Sequence, residues 1–584
     1  MRQAECSSRQ GEESAKSIPL PVSIQTSAAF LLGRGNRCNQ IWAWFKRRVA
    51  KSLMERNLVL GSRSGARRTA SRFAVPISCT SAAKASDNPC RSIIMAARER
   101  AKDCFVAMNL GMSHLTAVLF ILVMVAYVAI AAIATMHVLL GKSDVRAALG
   151  WIGVVWLAPL LGAFLYYVFG INRVTRRALR LTNIDRRRGS TIGTPSRPPL
   201  ADNIALLAEI GQRVTRNALA PGNCVSLLSG GDNAYPSMLA AIRAARQSIA
   251  LASYIFRNDV VGVSFVDALI EARQRGVAVR VLLDGIGSGY WRSATLRRLT
   301  SGKVPVARFL HTRMPWRMPF LNMRNHKKLL IVDGVIGFTG GLNIGREYSA
   351  RASPKKYLDN LHVRIEGPVV RQLMETFARD WSFTTGELLD QDIWWPAAAR
   401  PGPVFARGIH SGPDADIYSL ERLLGAALAQ AKSHIRIVTP YFFPEQSLEF
   451  AIAQAVLRGV AVDILLPART DYVFLDWAMR AHLRFFSDIP ANVFFTPFPF
   501  DHTKIMTVDG EWCLVGSSNW DTRSLRLNFE FDLECYDRTL TAAVDTLVDA
   551  KIARSARLDR NELFSKTRAS QLRDAVVRLF LPYL

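Results

Sequence analysis

Two kinds of hydrophobic pattern follow one another along the chain. Leu115 to Leu140 and Ala147 to Ile171 contain no Asp, Glu, Lys or Arg, and each exceeds the ~20 residues that cross a hydrocarbon core. The connector Gly141 to Arg146 has room only for a tight turn. The pattern therefore predicts a two-helix transmembrane hairpin over 113–171 (115–140 and 147–171), with both outer ends on one side. Trp151, Tyr166, Tyr167 and Phe169 stand toward the ends of the second span, as an interfacial belt would, and Pro159 is placed to kink it. A pair of buried core helices is the alternative, and it suits shorter runs.

Beyond Cys224 the pattern shortens and repeats. Ser248 to Phe256 reads as an apolar strand, Val263 to Arg273 as a helix, and Arg275-Gly276-Val277-Ala278-Val279 opens a strand ending at Asp284. Downstream, His434 to Phe443, Gln446 to Leu457 and Arg458-Gly459-Val460-Ala461-Val462 repeat the succession, identical pentapeptide included. Strand, helix, strand at this spacing is a βαβ crossover. The chain thus holds two tandem α/β domains, 221–395 and 408–550. Pro396, Pro401, Gly402 and Pro403 break the pattern between them. In the tail, 551–584, Ala575, Val576, Leu579 and Phe580 share one helical face, suited to the bilayer surface or to the protein's own core.

Composition and charge change the ends of this picture. The 584 residues are 49% hydrophobic, with a formal net charge of +28. That charge favours an anionic partner, nucleic acid or acidic lipid. Residues 1–112 are rich in Ser, Ala and Arg and lack sustained periodicity, which predicts a disordered extension. It reads as a targeting segment, a regulatory tail or, most simply, an upstream-extended start, since Met95, Met108 and Met112 precede the first apolar run. Seven arginines from Arg173 to Arg188 follow the second run within a basic linker, 172–220. By the positive-inside rule both ends of the hairpin are cytoplasmic. Five of the eight cysteines precede residue 105, and none forms a C-x-x-C pair, so they read as free thiols in a reducing compartment.

The chemistry is written twice. His326, Lys328, Asp333, Gly340 and Asn343 return at identical internal spacing as His502, Lys504, Asp509, Gly516 and Asn519, with Ser517 after the second glycine, and the His, Lys and Asp of each copy are expected in the catalytic set. A single His-x-Lys is common by chance; two copies agreeing at five positions are not. His and Lys two apart on a strand share a face, and Asp333-Gly334 and Asp509-Gly510 read as hairpin turns. The glycines allow close backbone approach, and the asparagines can donate to the same place. Two cationic and two neutral donors suit a phosphodiester passing through a pentacovalent state. One imidazole would attack phosphorus and the other protonate the leaving oxygen, the lysines supplying positive charge without a metal or cofactor. A carboxylate should hold the attacking ring. Glu530, 28 residues after His502, and Asp359, 33 after His326, are the candidates, with surface ion pairs as their plainer role.

These paired motifs resemble the phospholipase D superfamily. Their surroundings are similar to bacterial cardiolipin synthases at Gly230 to Pro236, Ser253 to Phe256, Gly340 to Tyr348, Thr439 to Pro444 and Asp521 to Ser524, from about Leu115 to the end of the chain. Gly341, where many relatives have Ser, and the first hundred residues depart from the pattern. The resemblance implies two phospholipase D-like α/β halves in a pseudo-two-fold arrangement, with the site between them and a phosphohistidine intermediate. It assigns His326 as nucleophile and His502 as acid/base by analogy. It further implies phosphatidyl transfer between two phosphatidylglycerol molecules with release of glycerol, contact with anionic membrane lipids, and no nucleic-acid partner. The place implied is a bacterial inner membrane, multi-pass, with the catalytic domains on the cytoplasmic side. The mixed apolar and cationic stretch His311 to Phe320 suits a mouth facing lipid or a simple capping loop. Hydrolytic phospholipase D chemistry is the alternative, since water and an alcohol differ only as acceptors. A nuclease uses the same motifs, but much of the charge lies outside the duplicated domains and a hairpin gives it no benefit. A non-catalytic binding protein would not need both complete sets.

Overall fold

A computed structural model describes residues 89–142, 145–170, 197–311, 323–413 and 416–579. The chain divides into two compact units, 1–113 and 114–584. In the first unit the described residues are helical from Pro89. That replaces, over 89–112, the irregular chain expected from composition; residues 1–88 and the basic stretch 171–196 lie outside the description, as do His311 to Phe320 beyond His311 itself.

Within the second unit, the helix Pro89–Gly141 continues through Thr116–Gly141, the one described segment long and apolar enough to cross a membrane. The second apolar run is shorter and broken: Val145–Leu157, then Pro159–Leu165, then one wider turn, Tyr166–Gly170. Pro159 supplies no N–H and ends the first piece, the kink its sequence position indicated. The runs pack as a hairpin through Ala131, Val138, Ala148, Val155 and Tyr166. Trp156 Nε1 donates to Thr135 Oγ1 at 3.1 Å.

The remainder is built on one sixteen-stranded sheet in which each half contributes seven principal strands. In the first half these are β1 (Ala220–Ser229), β2 (Ser248–Ser253), β3 (Ala278–Asp284), β4 (Val306–Phe309), β5 (Leu329–Val332), β6 (Ile336–Gly340) and β7 (Leu361–Glu366). The second half supplies β8 (Val404–Ser411), β9 (His434–Val438), β10 (Ala461–Pro467), β11 (Asn492–Thr496), β12 (Ile505–Val508), β13 (Trp512–Gly516) and β14 (Asn528–Tyr536). Reading outward from the centre, one side runs β1, β7, β6, β5, β2, β3, β4 and the other β8, β14, β13, β12, β9, β10, β11. Every strand thus has its counterpart seven places later. β1 and β8 meet antiparallel at the middle, which places the pseudo-two-fold axis between them. β2–β3 and β9–β10 pair in parallel, as the repeated pentapeptides require.

Helices cover both faces, so β5 and β12 are buried throughout and read as unbroken apolar runs. A central core belongs to both halves: Val363, Leu373 and Phe377 of the first pack in one cluster with Phe531, Val544 and Val548 of the second. Each such buried side chain contributes about 1.5–3 kcal/mol. Helix Asp202–Thr215 forms within 172–220, the span expected as a basic linker. Its Ile204, Leu207 and Ala208 enter the core of the second half, and Asn203 Nδ2 donates to Asp509 at 3.0 Å. At the other end, helix Arg538–Ala553 runs past the expected boundary at 550. The tail helix Arg568–Arg578 docks on the protein: Arg484 pairs with the fully buried Asp574 at 3.1 Å, and Arg573 lies 4.0 Å over Trp477.

Candidate active site

Each motif begins where its chain crosses to the other half. Arg324–Asn325 pairs in parallel with Asn528–Phe529, and Phe500–Asp501 with Leu358–Asp359. His326 N then donates to Phe529 O at 2.9 Å, and His502 N to Asp359 O at 2.8 Å. The residue after each acceptor faces the histidine ring. After Phe529 it is Glu530; after Asp359 it is Asn360.

Glu530 therefore holds His326, across the halves. Its carboxylate lies 2.8 and 3.0 Å from Nδ1. Ser517 Oγ donates to Glu530 at 2.6 Å and Asn528 Nδ2 at 3.0 Å, so the fully buried carboxylate is fixed on several sides. With Nδ1–H turned to Glu530, the lone pair of His326 is left on Nε2. Asp359 does not play this part for His502. Its carboxylate is taken by Lys551 at 2.7 Å and Arg554 at 3.3 Å. The ring of His502 meets the Asn360 amide instead, Nδ2 to Nδ1 at 3.1 Å. Counting from the histidines missed this, because a longer loop separates His326 from Asn360 than His502 from Glu530, and because only carboxylates were sought.

Asp333 and Asp509, expected in the catalytic set, lie at the far ends of their strands. Asp333 accepts from the backbone of Arg246, Gln247 and Ser248 at 2.7–3.2 Å. Asp509 does the same for Lys432, Ser433 and His434 at 2.8–3.0 Å. Each sits at φ near +50° beside a positive-φ glycine, the two-residue turn read from sequence. They fix where β2 and β9 begin, and touch nothing in the cavity. The two motif glycines also make room for protein: a Cβ on Gly340 would stand 2.6 Å from Leu361 O, and one on Gly516 1.9 Å from Asp532 Oδ1.

The remaining motif residues do converge. A cavity of about 410 Å³ is lined by His326, His502, Asn343 and Asn519. Lys328 and Lys504 stand buried beside the histidines, each donating to the carbonyl of its own histidine. Burial, then Lys328, Lys504 and Arg523, holds the His326 imidazole well below its usual range. Burial, then Lys504, Lys328 and His326, does the same for His502. Lys328 falls to about 7 through burial, and Lys504 is driven well below its usual value by burial and by Lys328. Burial raises Glu530, opposed by Lys328 and Ser517. So many close cations call for an anion among them.

Of the walls, the sequence drew attention to Tyr254, Tyr441 and Arg523 through their family surroundings, and passed over Arg324, Tyr472, Phe474 and Phe500. Arg324 and Arg523 line one part of the cavity, and Tyr441, Tyr472, Phe474 and Phe500 another. Tyr254 meets His326 edge-on at 4.9 Å. Two buried ion pairs brace the approach strands with opposite polarity: Lys327 with Asp380 at 2.8 Å, and Asp501 with Lys551 at 2.8 Å.

Comparison with known proteins identifies the family. The family profile described as "Cardiolipin synthase, PLD-like domain" matches twice, at residues 238–381 and 424–551. One described as "Phospholipase_D-nuclease N-terminal" matches 129–170. The chain is 30% identical over 468 residues to cardiolipin synthase of Oceanobacillus iheyensis, covering 78% of this chain and 97% of that one. It is 29% identical over 455 residues to cardiolipin synthase 1 of Bacillus anthracis, covering 75% and 89%. Among solved structures, phosphatidylserine synthase of Haemophilus influenzae superposes with a TM-score of 0.52 at 16% identity, covering 65% of this chain and all of that one, a likeness of fold. Duplicated halves, paired His-Lys-Asn sets and relatives matched over nearly their whole length lead to one conclusion: the chain belongs to the cardiolipin synthase family of phospholipase D-like proteins.

Proposed function

We propose that this protein is a membrane-bound phosphatidyltransferase that makes cardiolipin from two phosphatidylglycerol molecules and releases glycerol. The observation that carries the reading is the convergence of two His-Lys-Asn sets on one cavity with a carboxylate behind only one of the histidines. His326, its Nδ1–H held by Glu530, attacks phosphorus through Nε2 and forms a phosphatidyl-histidine. His502 protonates the departing glycerol and then accepts the proton of the incoming hydroxyl. Lys328, Lys504, Asn343 and Asn519 hold the phosphoryl oxygens, whose charge restores the ammonium forms that burial disfavours.

Membrane attachment is supported by helix Thr116–Gly141 and the second apolar run packed on it. We place both spans in a bacterial inner membrane as a hairpin, with the catalytic halves on the cytoplasmic side, following the arginines after residue 172. Aromatic walls suit a lipid substrate better than a duplex. The test is product analysis of purified full-length protein in phosphatidylglycerol vesicles. Cardiolipin and glycerol should appear together without another donor. Cardiolipin that requires a cytidine-diphosphate lipid, free phosphatidate in place of cardiolipin, or cleavage of DNA without cardiolipin would each overturn the reading.

A further inference from the structure

The two motif lysines do not bond alike. Lys328 Nζ reaches the carbonyl of His326 while Glu530 takes that ring's Nδ1. Lys504 Nζ reaches the carbonyl of His502 at 2.6 Å and also the ring Nδ1 of His502 at 3.0 Å. Asn360 Nδ2 approaches the same nitrogen at 3.1 Å. The amide cannot readily turn over, because its Oδ1 accepts from Leu361 N at 2.9 Å. It also fills the space beside Gly341, where a Cβ would lie 2.1 Å from Oδ1. Phe500, Tyr441 and Tyr348 are the other rings around His502, and Lys328 and His326 are the other charges that reach it. Two N–H donors at Nδ1 make it an acceptor, so the neutral ring carries its proton on Nε2.

We infer that Lys504 is the proton donor for the leaving group, acting through the His502 ring, and that Asn360 is the positioning residue that keeps Nδ1 open to it. The inference deepens the phosphatidyl-transfer reading and rests on it for the identity of the leaving group. In the first step the N–P bond from His326 Nε2 forms and the P–O bond to glycerol breaks. The departing oxygen takes the Nε2 proton of His502, and Nδ1 takes a proton from the Lys504 ammonium. Lysine ends neutral, and the ring ends as the other tautomer. That tautomer presents a lone pair at Nε2, ready for the hydroxyl proton of the acceptor lipid. In the second step this proton goes to Nε2, Nδ1 returns its own to Lys504, and the N–P bond breaks. A buried lysine that gives up its proton easily suits this traffic. Glu530 leaves Lys328 no such route at His326.

The test separates proton donation from phosphate binding. Lys504→Arg keeps the cation but cannot release a proton at any working pH. With phosphatidylglycerol vesicles, whose glycerol leaves only when protonated, it should slow glycerol release by about 10²-fold or more. With bis(p-nitrophenyl) phosphate, whose nitrophenolate leaves unprotonated, the first-turnover burst of nitrophenolate, which precedes any need for a base, should slow less than about tenfold in the same variant. Asn360→Asp offers Nδ1 a carboxylate, which stabilises a protonated ring that can donate without lysine. In that background Lys504→Arg should cost less than about tenfold on the lipid. Equal losses in the first-turnover release of glycerol and of nitrophenolate, or multiplicative losses in the double variant, would overturn the inference. Failure of the phosphatidyl-transfer reading would show separately, as glycerol release without cardiolipin.

Discussion

Around His326 the protein has placed a carboxylate, a serine that braces it and an asparagine that braces it again; around the matched ring of His502 it has placed a carboxamide and a glycine. Strand order and pairing correspond in the two halves, down to the main-chain bond that seats each histidine on the opposite half. The difference therefore lies in side chains one step behind the motifs. Glu530 and Ser517 form one matched pair, Asn360 and Gly341 the other, and the second pair is self-consistent: Asn360 fills the space that a side chain at 341 would need. Duplication supplies two equivalent rings, and their neighbours assign them unequal chemistry.

That inequality can be broken experimentally, the largest effect first. His326→Ala removes the attacking nitrogen and should lower cardiolipin formation by about 10⁴-fold or more. In contrast, His502→Ala protein exposed to labelled bis(p-nitrophenyl) phosphate, whose leaving group needs no proton, should collect label on His326. Label found on His502 in the His326→Ala protein would invert the assignment. Glu530→Gln should cost about 10³–10⁴-fold, because the ring loses its fixed tautomer. Asn360→Ala, which removes one neutral hydrogen bond, should cost about tenfold. Equal losses at these two positions would mean that the halves are equivalent after all.

The braces behind the motifs differ in sign, and so should their failure. Asp380→Ala strands the buried Lys327 ammonium, and should lower stability to chemical denaturation by about 3–5 kcal/mol. Replacing Asp380 and Lys327 together with apolar residues should recover most of it. A smaller effect concerns pH. The His326 ring is held well below its usual range, so it stays neutral and nucleophilic below pH 6.5. Lys328, at about 7 in the free enzyme, is cationic below that pH and neutral above it. The profile of kcat/KM should accordingly fall on the alkaline side from near pH 7, while its acid limb lies below 6.5. An alkaline limb displaced beyond pH 9 would show that Lys328 is not the group whose charge captures substrate.

Much of this could be read from the chain because repetition is self-checking. The pentapeptide Arg-Gly-Val-Ala-Val fixes the parallel pairs, and the spacing from histidine to asparagine fixes the hairpin that follows each motif. What was not legible depends on contacts between the halves. Asn360 carries no charge to draw attention, and Asp359 next to it does. Only the main-chain bond from His502 shows that the acid points to Lys551 and the amide to the ring. Asp333 and Asp509 misled in the opposite direction. Their invariance between the two copies is that of a turn at positive φ capping a neighbouring strand, and chemistry has no claim on them. The long helix from Pro89 was hidden by arginines and serines that carry no strong periodicity.

The short strands that carry each histidine across to the opposite half have a consequence for synthesis. Glu530 lies 204 residues beyond His326, and a ribosome adding 5–20 residues per second needs roughly 10–40 s to cover that stretch. Throughout that interval the nascent chain holds a histidine with nothing to orient it. The lipids nearest the newborn enzyme are spared until its last domain closes.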